Sequence, residues 1–305
     1  MGGQARRAGE RLQALRRRIA LLEGRAGRAA LAERDAGQAG GTGEGDRAGS
    51  SAARSPPGRP SFLSLGFAPL DHVLGGGLKL GALHEVRSAE TRAAGAAHGF
   101  ATALIALLAR ADPRPVLWVS EATVLRETGR AYGPGLARFG LDPGRLLVVS
   151  VEKPGEALWV FEEGLRCAGL AAVIAEVWGN PAVLDLTASR RLALRARDGG
   201  VTGFLLRQGG AAEPGAALTR FAVAPRPADD ADFSLGIGRP AWRLRLERNR
   251  LGSAGTFDVE WDHAEGAFRE PAGHPALPVG PSAVPVDRPD RAPGQRAVVA
   301  LGRAG

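Results

Sequence analysis

The chain of 305 residues carries 40 Lys and Arg against 32 Asp and Glu, a formal net charge of +8, with 44% apolar but only 5% aromatic residues. That length holds one well-buried domain of about 200 residues with flanking segments, and the apolar share suits an α/β protein built on Ala, Leu and Val. A single cysteine, Cys167, excludes an intramolecular disulfide framework and fits a reducing cytoplasm. No uninterrupted apolar run reaches the ~18 residues of a membrane span.

Lys79 and Lys153 are the only lysines, so the positive charge is almost wholly arginine. Twelve arginines against six acids fall in residues 1–60, placing six of the eight net charges in the first fifth of the chain. Arginine pairs with phosphate through two donors, so this bias favours sequence-independent attraction to nucleic acid. Biased genome composition produces the same excess, and both readings stand. The N-terminus lacks the apolar core of a signal peptide, and Glu10 and Glu23 argue against a transit peptide, so a cytoplasmic protein is expected.

In chain order, residues 1–34 read as a basic amphipathic helix. Leu12, Leu15, Ile19 and Leu22 form a narrow seam at alternating spacings of 3 and 4, and Arg6, Arg7, Arg11, Arg16, Arg17 and Arg18 fill most of the remaining surface. The seam needs a partner, a second copy or the chain's own domain to cover it, and the arginines are candidate DNA contacts. Residues 35–61, rich in Gly, Ser, Ala and Pro, read as a flexible linker, and residues 271–305 as a Pro-rich disordered tail.

Between them, residues 62–270 alternate apolar strands with helices. Strands are expected at 83–86, 116–120, 146–151, 172–177 and 204–208. Helices are expected around Leu158, Phe161, Leu165 and Ala168 and over 186–195. Continuous apolar strands separated by helices predict a mostly parallel sheet covered on both faces. Residues 242–248 and 256–261 alternate around a Gly-bearing turn at 251–255 and predict an antiparallel hairpin at the end of the domain. Cys167 falls in the helical pattern, as a buried structural thiol does.

Residues 83–110 have the layout of a phosphate-cradling loop: a strand, a small-residue loop over 87–98 and a helix beginning near Gly99. A working loop reads G-x-x-x-x-G-K-[ST], with Lys on the β and γ phosphates and the hydroxyl on Mg²⁺. In that register Ala94 and Gly99 stand at the two glycine positions, Phe100 at the Lys and Ala101 at the Ser/Thr. Neither Phe100 nor Ala101 offers charge or a metal ligand. Arg87 and Arg92 are the cations left to face a phosphate, and Thr102 lies one place beyond the metal-ligand position.

The entry sequence, Leu65-Gly66-Phe67-Ala68-Pro69-Leu70-Asp71-His72-Val73-Leu74-Gly75-Gly76-Gly77-Leu78-Lys79-Leu80-Gly81 followed by Leu83-His84-Glu85-Val86, resembles the opening of RecA-fold ATPase cores. Within that superfamily the chain resembles ImuA, a degenerate RecA-like family of bacterial damage-induced mutagenesis. The resemblance implies a RecA-like sheet flanked by helices. It implies that Glu121 stands where an active RecA core positions the attacking water, Glu176 at the Walker B acid and Gln208 at the γ-phosphate sensor. With Lys and hydroxyl lost, it implies no catalytic residue, no cofactor and no metal. It also implies partners: an ImuB-like protein, an error-prone C-family DNA polymerase and RecA, with self-association through the N-terminal helix. Two alternatives remain at this level, a divergent DNA-dependent ATPase and a SulA-like cell-division inhibitor.

Other chemistry finds little support. His72, His84, His98, His263 and His274 lack zinc-ligand spacing, and no G-x-S-x-G elbow occurs. In the final hairpin Arg239, Arg243, Arg245 and Glu247 alternate with Trp242, Leu244 and Leu246, predicting one basic and one apolar face. Arg248 and Arg250 add positive charge at the turn. Phosphate contacts and salt bridges to Asp258 and Glu260 are equally good readings of these arginines. Non-specific, salt-sensitive DNA binding is expected.

Overall fold

A computed structural model describes residues 61–228 and 238–271, together with Arg17. The chain divides into two compact units, Met1–Pro271 and Ala272–Gly305, and the described residues of the domain belong to the first. The N-terminal seam, the linker over 35–60 and the tail beyond Pro271 lie outside the described residues. Arg17 is exposed and helical.

The domain opens with a two-stranded ribbon, β1 (Phe62–Leu63) and β2 (Leu78–Lys79), around helix α1 (Ala68–Val73). Asp71 closes this entry by accepting the Leu65 backbone N–H at 2.8 Å. Gly77 has φ +127°, and a Cβ there would stand 2.3 Å from the Leu63 carbonyl oxygen, so only glycine fits. There follow β3 (Leu83–Ser88), α2 (Ala94–Ala111), β4 (Val116–Glu121), α3 (Ala122–Thr128), α4 (Gly133–Arg138), β5 (Leu146–Val151), α5 (Pro154–Arg166), β6 (Ala172–Trp178), α6 (Leu186–Gly199) and β7 (Thr202–Gln208). The domain closes with β8 (Thr219–Pro225), β9 (Ala241–Asn249), β10 (Gly255–Asp262) and β11 (Ala267–Arg269).

Nine strands form one sheet in the order β11-β10-β9-β8-β3-β7-β6-β4-β5. Strands β5, β4, β6, β7, β3 and β8 run parallel, and β9 to β11 continue as an antiparallel meander. The fold is thus the expected RecA-like arrangement: a mostly parallel sheet, helices on both faces and a C-terminal antiparallel hairpin. Strand alternation sorts the core into two layers. Val86, Trp118, Ile174, Phe204 and Leu206 pack with α2. Leu83, Leu117, Val119, Val173, Ala175 and Leu205 pack with α5 and α6. Residues Thr91–Ala111 are long and apolar enough to cross a membrane, but 72% of their most apolar window is buried in this core.

All five expected strands and the hairpin stand within a residue or two of their expected bounds. The phosphate-loop region is corrected. Arg87 and Ser88 belong to β3, a 3₁₀ turn occupies Thr91–Ala93, and α2 starts at Ala94 rather than near Gly99. Ala94, Ala96 and Ala97 favour a helix while Gly95 and Gly99 do not, so local propensity leaves the start of α2 open. Helix α5 ends at Arg166, leaving Ala168 beyond it, and Cys167 is buried at its C-cap. Strand β8 and helices α3 and α4 have no clear sequence signal: α3 and α4 are short, and β8 follows a Gly- and Ala-rich stretch and ends in Pro225.

Candidate functional site

The carboxyl ends of the parallel strands gather a buried polar cluster on the α2 face. Ser120 of β4 and Glu176 of β6 are register partners, and the Ser120 hydroxyl donates to Glu176 Oε2 at 2.6 Å. From the second turn of α2, His98 brings Nδ1 to 3.0 Å from Glu176 Oε1, while its ring stacks on Trp118 with centroids 5.1 Å apart. Burial would push the His98 pKa down, but the Glu176 charge and hydrogen bond outweigh it, and the net shift is upward. Burial would likewise push Glu176 up, yet the charge and hydrogen bond of His98, with Ser120 and Trp118, hold it below its ordinary value. The two shifts have the directions that a buried histidine-carboxylate pair imposes on its members.

The residues do not fit a magnesium-bound triphosphate. Phe100, in the lysine position, is fully buried, with its ring 5.4 Å from Phe221, 6.0 Å from Trp242 and 5.5 Å from Phe268. Ala101 is equally buried. The Trp242 indole lies so close to Gly99 that a Cβ there would meet its Cζ2 at 3.2 Å. The Thr102 hydroxyl donates back to the His98 carbonyl at 2.8 Å.

The two cations expected in the loop are elsewhere. Arg87 lies buried in β3, donating to both carboxylate oxygens of Glu247 at 2.8 and 2.6 Å and to Gly210 O at 3.1 Å. Arg92 is exposed and pairs with Glu90. Glu121 is buried and accepts the Trp178 backbone N–H at 3.1 Å. Gln208 is also fully buried, beside Ser88 of β3, and its amide has no hydrogen-bond partner among the described residues. The structure thus brings Glu176 and Gln208 onto one face of the sheet ends and separates Arg87 and Arg92 from them.

Beside this cluster a cleft of about 410 Å³ separates the first turns of α2 from the segment carrying α4. Ala94, Gly95, His98, Arg130, Tyr132 and Phe139 are among its walls. Among the described residues, no three His, Cys, Asp or Glu side chains are grouped to hold a metal.

The comparisons with known proteins fall on this frame. Protein ImuA of Caulobacter vibrioides (strain NA1000 / CB15N) is 36% identical over 217 residues, covering 66% of this chain and 84% of the relative. The chain belongs to the ImuA family. The same protein from Caulobacter vibrioides strain ATCC 19089 / CIP 103742 / CB 15 matches with the same figures. No family model matches the chain. Among solved structures, the RadB recombinase aligns with a TM-score of 0.47 at 16% identity, over 68% of this chain and 99% of that one.

The hairpin of this ImuA-family chain has the expected two faces, with Trp242, Leu244 and Leu246 buried and Arg243 and Arg245 exposed. Its arginines are committed to internal partners. Arg243 forks onto Asp258 at 2.8 and 2.9 Å, Arg245 reaches Glu247, and Arg239 reaches Glu260 at 3.3 Å. Arg248 and Arg250 donate to backbone carbonyls of the 209–218 connection, Arg248 to Gly215 and Arg250 to Gly215 and Ala217. Sequence reasoning missed a buried charge cluster under that connection. Glu85 of β3 bridges Arg207 of β7 at 3.1 Å and Arg220 of β8 at 2.7 Å, all within 6% of full burial. Strand periodicity places Glu85 and Arg87 on the same face as Leu83, but it does not reveal that Arg207 and Arg220 meet Glu85 there.

Proposed function

We propose that this chain is a non-catalytic, RecA-like accessory protein of translesion DNA synthesis and damage-induced mutagenesis. In this reading it acts in the cytoplasm, bridging a mutagenic polymerase assembly to DNA or to RecA. The partners are an ImuB-like protein and an error-prone C-family polymerase. Membership of the ImuA family supports the general role. The observation that carries the non-catalytic part is Phe100: the lysine position of the nucleotide loop is built into an aromatic core with Phe221, Trp242 and Phe268. A cation cannot be moved into that place without unpacking the domain, so the frame is free to serve binding alone.

The basic segment 1–34 is the contact element in this reading, with Leu12, Leu15, Ile19 and Leu22 facing a protein and the surrounding arginines facing phosphate. Co-purification of the full chain with an ImuB-like protein and a C-family polymerase tests it. Retention of both by the full chain, with loss of at least one on deleting residues 1–34, supports it. Failure to retain either with the full chain refutes the accessory role. Unchanged retention after the deletion removes the helix assignment. DNA binding at about micromolar affinity, falling steeply with salt, is expected from several arginine contacts.

A further inference from the structure

Six large apolar side chains are exposed among the described residues, and three of them, Val183, Leu186 and Leu194, lie on α6 and the turn leading into it. Their exposures, 52%, 37% and 48%, are too high for core positions. Leu186, Arg190 and Leu194 follow one another at i, i+4 and i+8, and Arg197 completes the same exposed face. The opposite face, with Ala188, Leu192 and Ala196, is buried in the domain. The flank toward α5 is closed by Glu162, which takes Arg191 at 2.8 Å and Arg195 at 3.3 Å. Arg190 has no acidic partner among the described residues, and Arg197 meets only its exposed neighbour Asp198 at 3.1 Å. Leu186 and Leu194 therefore face water with Arg190 between them, a mixed apolar and basic face that an interaction partner can cover.

We infer that this face of α6 docks an acidic amphipathic helix of a partner protein. Two leucines two turns apart, with Arg190 between them, fit a helix laid alongside with leucines at matching intervals. Arg190 and Arg197 match carboxylates flanking those leucines and disfavour a basic surface. The chain's own residues 6–18, with six arginines, have the wrong sign. A second copy presenting the same face would set arginine against arginine. The inference stands on α6 alone and does not depend on the identity of the mutagenesis partners.

The test uses the full chain and a fluorescein-labelled helical peptide with leucines at every fourth position flanked by glutamates, followed by anisotropy. Saturable binding is expected, with a tenfold or greater loss for the double substitution Leu186→Glu and Leu194→Glu. A similar loss is expected when the peptide's glutamates are replaced by lysines, and Arg190→Glu should recover part of the binding to that basic peptide. Both leucines are exposed, and an unchanged thermal melt of the double variant checks that the fold is intact. Absence of saturable binding, equal binding of acidic and basic peptides, or indifference to the leucine substitutions overturns the proposal. So does a dimer in light scattering that the double substitution dissolves, which would give the face to a second copy.

Discussion

His98 and Glu176 meet at 3.0 Å, joining the second turn of α2 to the end of β6. The Glu176 charge is answered from within the domain. Ser120 donates to the other carboxylate oxygen at 2.6 Å, so Oε1 faces the His98 ring and Oε2 accepts a hydroxyl.

The bridge sets a pH dependence. His98 is held above its ordinary 6.5, so its contribution to stability is complete below pH 6.5 and fades as pH rises through the elevated native value. Glu176 is held below its ordinary 4.5, so its contribution is complete above pH 4.5 and fades as pH falls through the depressed native value. The pair therefore stabilises most between those two ordinary values. His98→Gln should cost about 3 kcal/mol in that window, because it leaves a buried carboxylate without its cation. Urea unfolding across the acid and neutral range should show the variant's loss shrinking as pH rises past the native His98 value.

His84 acts with the opposite sign. Its Nε2 donates to Lys79 O at 2.8 Å and its Nδ1 accepts from the Thr219 hydroxyl at 2.7 Å, an arrangement for the neutral ring. Burial lowers its pKa to about 4. The unfolded chain takes up this proton near pH 6.5 and the native one does not, so stability falls as pH drops from 6.5 toward 4, by about 3 kcal/mol in all. A His84→Gln variant, though less stable at neutral pH, should lose that slope. A wild-type slope in the variant would assign it to other groups.

Restoring the nucleotide-loop consensus should fail as a gain of function. Phe100→Ala should cost about 3–5 kcal/mol in chemical denaturation, the range for emptying a buried aromatic site. Phe100→Lys should cost more, because an unpaired ammonium is then buried among Phe221, Trp242 and Phe268. A Phe100→Lys, Ala101→Thr double variant that remained as stable as the wild type would contradict the packing described here.

Two acid-arginine sites should separate sharply by burial. Glu85→Gln leaves buried Arg220 without its carboxylate and Arg207 with Glu213 alone, and should cost about 3–5 kcal/mol. Arg243→Ala breaks a two-pronged bridge of which the arginine is 60% exposed, and should cost under about 1 kcal/mol. The same substitution tests the basic face in another way. If Arg243 contacts phosphate as well as Asp258, DNA affinity should fall and its salt dependence flatten, while stability barely moves.

The parallel strands were legible because each is a continuous apolar run between helical patterns, and the hairpin because Trp242, Arg243, Leu244 and Arg245 alternate without interruption. The sequence register puts Phe100 at the expected lysine position, and the structure buries that residue in an aromatic core. The fate of the loop was not legible. Its residues are small and compatible with either loop or helix, and only packing of Gly99 against Trp242, more than 140 positions away, decides for helix. For the same reason the partners of Arg87 and Glu85 were hidden: Glu247 and Arg220 reach them only through the strand order β7-β3-β8-β9. Long-range ion pairs leave no local pattern. In α6 the sequence pattern does not say which leucines are core: Leu192 is buried while Leu186 and Leu194 are exposed.

The central claim is that aromatic packing around Phe100 and the His98–Glu176 bridge have replaced nucleotide chemistry. Calorimetric titration of the full chain with ATP and magnesium, paired with phosphate release in the presence and absence of single-stranded DNA, tests it most directly. The account predicts no saturable heat and no release above that of a Glu176→Gln preparation made in the same way. One-to-one binding of ATP with turnover that disappears in Glu176→Gln would contradict it.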